Sequence, residues 1–73
     1  MQRTYRIVLN PDHDGGYTAI VPALTGCITW GKDIQEAKEM AKEAIELYIE
    51  DLVASGENVP DDNDSLELSL TVA

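Results

Sequence analysis

The segment Asp12-His13-Asp14 has side chains of the kinds that bind metal ions or transfer protons. Carboxylate oxygens and imidazole nitrogens are common ligands, but three ligands this close in sequence cannot surround an ion without help from elsewhere. Residues 10–16 are also rich in Asn, Asp and Gly, which favour turns. We therefore expect a hairpin turn here, and no bound metal or other cofactor. The alternative interpretation is a metal site.

Cys27 is the only cysteine, so one chain can form neither an internal disulfide nor a cysteine-based zinc site. A catalytic thiolate would need His13 as its base and a third group to orient that base. A free cysteine more often acts as a small buried hydrophobic side chain, and we favour this interpretation. No catalytic residue is predicted.

An acidic row is the strongest charge feature of the sequence. The formal net charge is −9, and residues 33–73 alone contribute −10. Four glutamates follow one another at spacings of three and four: Glu39, Glu43, Glu46 and Glu50. On a helix this spacing puts them on one side, where they repel each other. The row is therefore either a solvated face or a docking surface for a basic partner protein. Because the chain has only five Lys and Arg residues, direct binding to nucleic acid is not expected.

Alternating apolar residues predict three short strands before a helix. We expect them over residues 4–9, 17–21 and 27–30, joined as an antiparallel meander. Pro22 cannot donate a hydrogen bond to a ladder and Gly26 favours a turn, so both mark the break between the second and third strands.

The helix has a predicted start and end. Asp33 fits an N-cap, and Glu36 completes an acidic capping box three residues later. An apolar stripe recurs at helical spacing from Ile34 to Leu52, and Ser55-Gly56 provides a C-terminal stop after about six turns. A further alternation over residues 65–72 predicts a fourth strand. The prediction is an α+β fold of order β-β-β-α-β, a single domain over residues 1–73 with the helix packed on the sheet.

A chain of 73 residues without phenylalanine has little material for a core. A domain of this size buries only roughly 60% of its surface on folding, so we expect a homo-oligomer, either dimer or tetramer. Trp30 either packs against the helix or anchors a partner. Met40, Leu47 and Ile49 lie off the main apolar stripe and widen the apolar face of the helix. The sequence has no signal peptide and no apolar run of about 18 residues, which predicts a cytoplasmic protein without membrane contact.

From Gly15 onward the chain reads G-G-Y-x-A-x-V-P-x-L-x-G-C-x-T-x-G-x-D-x-x-E-A. With the element order above, this motif resembles the HicB-like antitoxin family of bacterial and archaeal toxin–antitoxin pairs. The motif residues taken as structural are Gly16, Tyr17, Pro22, Gly26, Cys27, Gly31, Asp33 and Glu36. The resemblance implies a partial ribonuclease H-like fold. It also implies binding to a small basic HicA-type toxin that cleaves mRNA with a histidine, which the complex masks.

Many members of this family carry a C-terminal DNA-binding segment. Because this sequence ends at Ala73, directly after the predicted fourth strand, we expect a short form without that segment. Ribonuclease H chemistry uses clustered carboxylates to hold metal ions, and the predicted first strand contains none. The leading hypothesis is that the glutamate row and Trp30 bind the toxin and cover its RNA-binding face.

Two alternatives remain open at this point. One is an orphan oligomeric domain that has no toxin. The other is a metal-dependent nuclease that uses Asp12, Asp14 and the carboxylates of residues 61–64.

Overall fold

A computed structural model describes residues 3–62 and 69–72. Its elements are β1 (Val8–Pro11), β2 (Tyr17–Ile20), β3 (Ile28–Gly31) and α1 (Ile34–Ala54). The strands form one antiparallel sheet in the order β1-β2-β3, and α1 packs on one of its faces. The predicted α+β class and the three-stranded meander are confirmed.

β1 begins later than predicted. Val8 pairs with Ile20, and the same register would place Arg6 opposite Pro22. Proline has no backbone N–H, so the ladder between β1 and β2 cannot continue past this point. The residues before Val8 keep the predicted alternation of burial without strand pairing: Tyr5 and Ile7 are half-buried, and Arg6 is exposed.

The start of α1 differs in one detail from the predicted capping box. Asp33 is the N-cap, and its Oδ1 accepts a hydrogen bond from the Glu36 N–H at 2.8 Å, as expected. The Glu36 Oε1 accepts from the Lys32 N–H at 3.0 Å rather than from the N–H of Asp33. The helix start is therefore held from both sides, with the second bond one residue before the cap.

The predicted end of α1 at Ser55-Gly56 is confirmed. Gly56 adopts a left-handed φ of 72°. Its N–H donates to the Val53 carbonyl at 3.1 Å, and the N–H of Glu57 donates to the Leu52 carbonyl at 2.9 Å. This pair of bonds is a Schellman motif, which satisfies carbonyl groups that the helix leaves without partners.

Small residues let α1 approach the sheet closely. Ala19 of β2 and Ala37 and Ala41 of α1 are fully buried against each other. At Gly31 a Cβ atom would lie 2.2 Å from the backbone nitrogen of Ala37, so only glycine fits there. Ile34, predicted to belong to the apolar stripe, is instead 51% exposed.

A second cluster closes the other end of the core. It contains Val21, Leu24 and Cys27, all buried, with Tyr48 of α1 packed against them. The Tyr48 hydroxyl donates to the carbonyl of Thr25 at 2.8 Å, so the loop between β2 and β3 is tied to the helix.

Half of the predicted fourth strand, residues 65–68 of 65–72, lies outside the described residues. Residues 69–72 are described and are not in a strand. Leu70 and Val72 are 88% and 87% exposed. The predicted fourth strand is thus not found over residues 69–72, and for residues 65–68 it stays a prediction. Among the described residues, no helix combines the length and the apolar character needed to cross a bilayer.

Candidate protein-docking surface

The outer side of α1 carries the acidic row. The row consists of Glu39, Glu43, Glu46 and Glu50, and all four are exposed. At about 100° of rotation per residue, they fall within a sector of about 60° around the helix axis. Ala37 and Ala41 face the sheet from the opposite side of the helix. The row therefore points away from the core.

The charge of this surface is largely uncompensated. α1 contains six acidic residues and two lysines, a net charge of −4. The ion pair found within residues 3–62 and 69–72 joins Arg6 to Asp62. Neither residue belongs to α1, so this pair does not neutralise the helix. Glu39 accepts a hydrogen bond from the Gln35 side chain at 3.2 Å, which leaves its charge in place. The outer side of α1 is thus a concentrated source of negative potential.

Two apolar side chains flank the acidic row on one side. Met40 is 39% exposed and Leu47 is 58% exposed. They are seven residues apart, so they lie two turns apart on nearly the same side of the helix. We call the acidic row together with Met40 and Leu47 the acidic docking face. Protein interfaces combine apolar anchors with polar, charged surroundings, as this face does.

Trp30 does not belong to this face. Trp30 of β3 pairs with Thr18 of β2, so the two side chains lie on the same face of the sheet. The next residue of β2, Ala19, lies on the other face and packs on α1. Trp30 therefore projects from the sheet face opposite the helix, where it is 47% exposed. The interpretation that it packs against the helix is wrong. Its ring covers Gly16 instead, and its Nε1 donates to the Gly15 carbonyl at 3.3 Å.

An apolar groove runs between α1 and the segment before β1. Its volume is about 730 Å³, and Tyr5, Ile7 and Ile45 contribute to its floor. Lys38 and Lys42 of α1 also line it, together with Glu39 and Glu46, so the acidic row borders the groove. Ile49 also lines this groove and is half-buried, so it is not part of the exposed flank that Met40 and Leu47 form. Sequence reasoning missed the groove because its two walls are far apart in the chain, one before β1 and the other on α1.

Two side-chain contacts hold the chain after α1 next to this groove. The Tyr5 hydroxyl donates to the carbonyl of Pro60. The Arg6 Nε and the Asp62 Oδ2 form an ion pair at 2.8 Å, and the Arg6 N–H donates to the other carboxylate oxygen at 3.2 Å. Residues 60–62 are therefore fixed beside the segment that precedes β1.

Cys27 is only 5% exposed. Burial removes water from the thiol and raises its pKa, so it stays protonated near neutral pH. A thiol in this state is a poor nucleophile. The position fits a buried hydrophobic side chain in the second core cluster.

Asp12 and Asp14 take part in the hairpin turn. The Asp12 Oδ1 accepts a hydrogen bond from the Asp14 N–H at 3.1 Å, and the Asp12 N–H donates to the Gly16 carbonyl at 3.0 Å. The first bond is typical of an Asx turn, and the second closes the hairpin loop. In the part of the chain that the structure describes, no three His, Cys, Asp or Glu side chains are grouped so that they could hold a metal ion. Of the carboxylates in residues 61–64, that of Asp62 is engaged by Arg6.

The motif residues lie at positions that shape the fold. Gly16 has a φ of 79°, and a Cβ there would come within 2.4 Å of the Gly31 carbonyl oxygen. Tyr17 is half-buried against the alanine cluster. Pro22 and Gly26 belong to the loop that brings Leu24 into the core. Together with the two caps of α1, these motif residues fix where the helix lies and which of its sides is exposed.

Comparisons with known proteins give a consistent result. A family model described as a HicB-like antitoxin of bacterial toxin–antitoxin systems matches residues 5–71. The chain is 48% identical to a UPF0150 protein of Thermoplasma acidophilum over 59 residues, 81% of this chain and 86% of that relative. It is 46% identical to a UPF0150 protein of Synechocystis over 56 residues, 77% of this chain and 71% of the relative. A UPF0150 protein of Archaeoglobus fulgidus is 50% identical over 46 residues, 63% of this chain and 67% of the relative.

Proposed function

Because this chain belongs to the family of HicB-like antitoxins, we propose that it is the antitoxin of a toxin–antitoxin pair and neutralises a small basic HicA-type toxin that cleaves mRNA. Family membership supports the antitoxin role in general. The acidic docking face supports the choice of a basic partner, and it is the observation that carries this proposal.

The acidic row resembles RNA in the arrangement of its charge. A toxin that cleaves mRNA must bind a linear polyanion, and it does so with lysine and arginine side chains. The four carboxylates follow α1 over about 16 Å of helix axis, so they too form a linear polyanion. Bound to the toxin, the row competes with RNA for the same cations and covers the catalytic histidine.

Met40 and Leu47 give the face a second kind of contact. Charged residues steer two proteins together and raise the association rate. Apolar anchors that lose water in the complex mainly slow dissociation. The exposed fractions of Met40 and Leu47, 39% and 58%, leave both side chains available for such a role.

In this proposal binding is the whole activity, and the chain transforms no substrate. It works in the cytoplasm, where the toxin meets mRNA, and it does not itself contact nucleic acid. The net charge of −9 supports the last point, because phosphate backbones repel such a chain.

The complete sheet is part of the proposal. Residues 69–72 are not in a strand in this structure. We propose that residues 65–72 nevertheless pair beside the segment that precedes β1 when the sheet is complete, which would give the partial ribonuclease H-like fold of the family. The apolar groove and the contacts that hold residues 60–62 beside Tyr5 and Arg6 support this placement. Slow hydrogen exchange of the amides in residues 65–72 would agree with it, and exchange at the rate of an unstructured peptide would contradict it.

The function is tested by copurification with the product of the neighbouring reading frame, followed by an RNA cleavage assay. We expect a basic nuclease to copurify, and RNA cleavage to stop when the chain reaches a fixed stoichiometry with it. The chain alone should leave RNA intact in Mg²⁺ or Mn²⁺. Cleavage by the chain alone would favour the nuclease alternative, and failure to bind a basic nuclease encoded beside it would favour an orphan domain.

The docking face is tested separately by replacing all four glutamates of the acidic row with Gln. The variant should need a higher concentration to stop cleavage. The matched control is Asp12→Asn with Asp14→Asn, which also removes negative charge but leaves α1 unchanged. Equal inhibition by the wild type and the four-residue variant would refute this docking face while leaving the antitoxin role intact.

A further inference from the structure

The sheet face that points away from α1 has no partner in the described part of the chain. It is formed by alternate residues of the three strands, and we call it the open face. Its members are Val8, Asn10, Thr18, Ile20, Ile28 and Trp30. Strand register puts three of them, Val8, Ile20 and Ile28, in an apolar row that crosses the whole sheet.

The open face is apolar and substantially exposed. Val8, Ile28 and Trp30 are 39%, 60% and 47% exposed, which amounts to roughly 300 Å² of accessible side-chain surface. The largest apolar patch on a typical soluble monomer measures about 300–600 Å² and often has a function, so this patch lies at the lower end of that range. Here the patch occurs on a chain of only 73 residues.

We propose that the open face is the contact between two copies of this chain, packed sheet against sheet about a two-fold axis. Two such faces pack about 10 Å apart, with their side chains interdigitated. The apolar row of one copy then covers that of the other, and Trp30 of each copy lies within the contact. The inference does not depend on the proposed antitoxin function.

Charge selects this face over α1 for self-association. None of the six residues of the open face is charged, so two copies meet there without repulsion. Contact through the outer sides of α1 would instead bring together two helices that each carry −4. Arg6, the next residue on this side of the chain, is held in an ion pair with Asp62 at 2.8 Å.

The same argument separates the second copy from a basic partner. A cationic protein gains no electrostatic attraction from an uncharged face, whereas the acidic docking face lies on the opposite side of the domain. In the dimer, both helices therefore remain on the outside. One dimer can hold two basic partners without competition between partner binding and self-association.

The size of the face sets the expected strength of the dimer. A stable interface buries about 800 Å² on each partner, and the open face offers less than this. We therefore expect a concentration-dependent dimer that dissociates in the micromolar range, well within reach of sedimentation measurements.

Trp30 makes the contact observable because it is the only tryptophan. Over about 0.1 to 100 μM protein, its emission should shift to shorter wavelength and its quenching by acrylamide should fall as the dimer forms. Analytical ultracentrifugation over the same range gives the dissociation constant independently.

Three variants test the face. Ile28→Asp puts a negative charge from each copy into the contact, and the dissociation constant should rise at least a hundredfold. Ile28→Thr keeps the β-branched shape that the strand needs but removes apolar surface, and it should raise the dissociation constant at least tenfold. Leu47→Asp is the matched control, because Leu47 is 58% exposed on α1, similar to Ile28 at 60%. It should leave the dimer unchanged.

The expected pattern is dissociation by both Ile28 variants, with circular dichroism of Ile28→Thr that matches the wild type. The proposal is overturned if the wild type remains monomeric at every concentration, if Ile28→Thr dimerises as well as the wild type, or if Leu47→Asp is the variant that dissociates. An association that leaves Trp30 emission unchanged would also overturn it.

Discussion

Glu43 and Glu50 allow partner binding to be separated from protein stability. We expect the double variant Glu43→Gln/Glu50→Gln to bind the toxin less tightly and yet to unfold at a higher temperature. A lower affinity together with a higher melting temperature would show that these residues favour binding and destabilise the helix. Replacing a residue with a structural role would lower both the affinity and the melting temperature.

The gain in stability follows from the helix itself. The two changes remove three repulsive contacts at helical spacing: Glu39 with Glu43, Glu43 with Glu46, and Glu46 with Glu50. No lysine or arginine lies three or four positions from Glu43 or Glu50, so no favourable pair is lost. Glu50 also lies in the last turns of α1, where the helix dipole disfavours a negative charge. At about 0.2–0.5 kcal/mol for each contact, the stability gain is about 1 kcal/mol. For a domain of this size, that raises the melting temperature by about 4–8 °C.

The loss in affinity is estimated from exposed charge pairs. Each such pair contributes up to about 1 kcal/mol, so two lost charges weaken binding by up to about 2 kcal/mol. This corresponds to a dissociation constant up to roughly 30 times higher. The effect should shrink as salt is raised, because salt screens exposed charges.

Calorimetric titration with the toxin at three salt concentrations measures the affinity, and scanning calorimetry of the free protein measures the melting temperature. Asp12→Asn/Asp14→Asn changes the net charge by the same amount away from α1 and serves as the control. Unchanged affinity of the Glu43/Glu50 variant would refute the docking face. An equal loss in the control would show that only the net charge matters.

Four further predictions concern the fold. Gly31→Ala should destabilise the domain by about 3 kcal/mol or more, because its Cβ would lie 2.2 Å from the backbone nitrogen of Ala37. Gly56→Ala, which meets only the strain of a φ of 72°, should lower the unfolding free energy in urea by about 1–2 kcal/mol. Asp33→Ala removes the N-cap bond to Glu36 and should lower that free energy by about 1 kcal/mol, with Asp33→Asn close to wild type. Because burial raises the pKa of the Cys27 thiol, its contribution to stability is complete below the unfolded pKa of about 8.5 and falls as pH rises further. The wild type should therefore lose more stability than Cys27→Ala between pH 7 and pH 9.5, and its thiol should react with Ellman's reagent only on unfolding.

The features that could be predicted are those governed by neighbours in sequence. The spacing of the glutamates placed the acidic row on one exposed side of α1, as the structure has it. Asp33 and Ser55-Gly56 gave both ends of the helix, because caps act within one turn of the chain. The hairpin at residues 10–16 follows in the same way from residues that favour turns. Motif residues carried the family resemblance, which the comparisons confirm.

The features that could not be predicted depend on how separate segments meet. β1 starts at Val8 because the register puts Pro22 opposite Arg6, and a register is a relation between two strands. Alternation shows that Trp30 and Thr29 point to opposite faces, but it does not say which face the helix covers. The apolar groove has one wall before β1 and the other on α1.

The amino-acid sequence alone determined the charge of this protein, its helix with both caps, and the position of the glutamates on that helix, since these follow from contacts within a few residues. Only the tertiary structure decided that the acidic row and Trp30 lie on opposite sides of the domain. The physical reason is that Ala19, Ala37 and Ala41 allow the helix to approach one face of the sheet closely, and this packing leaves the other face uncovered.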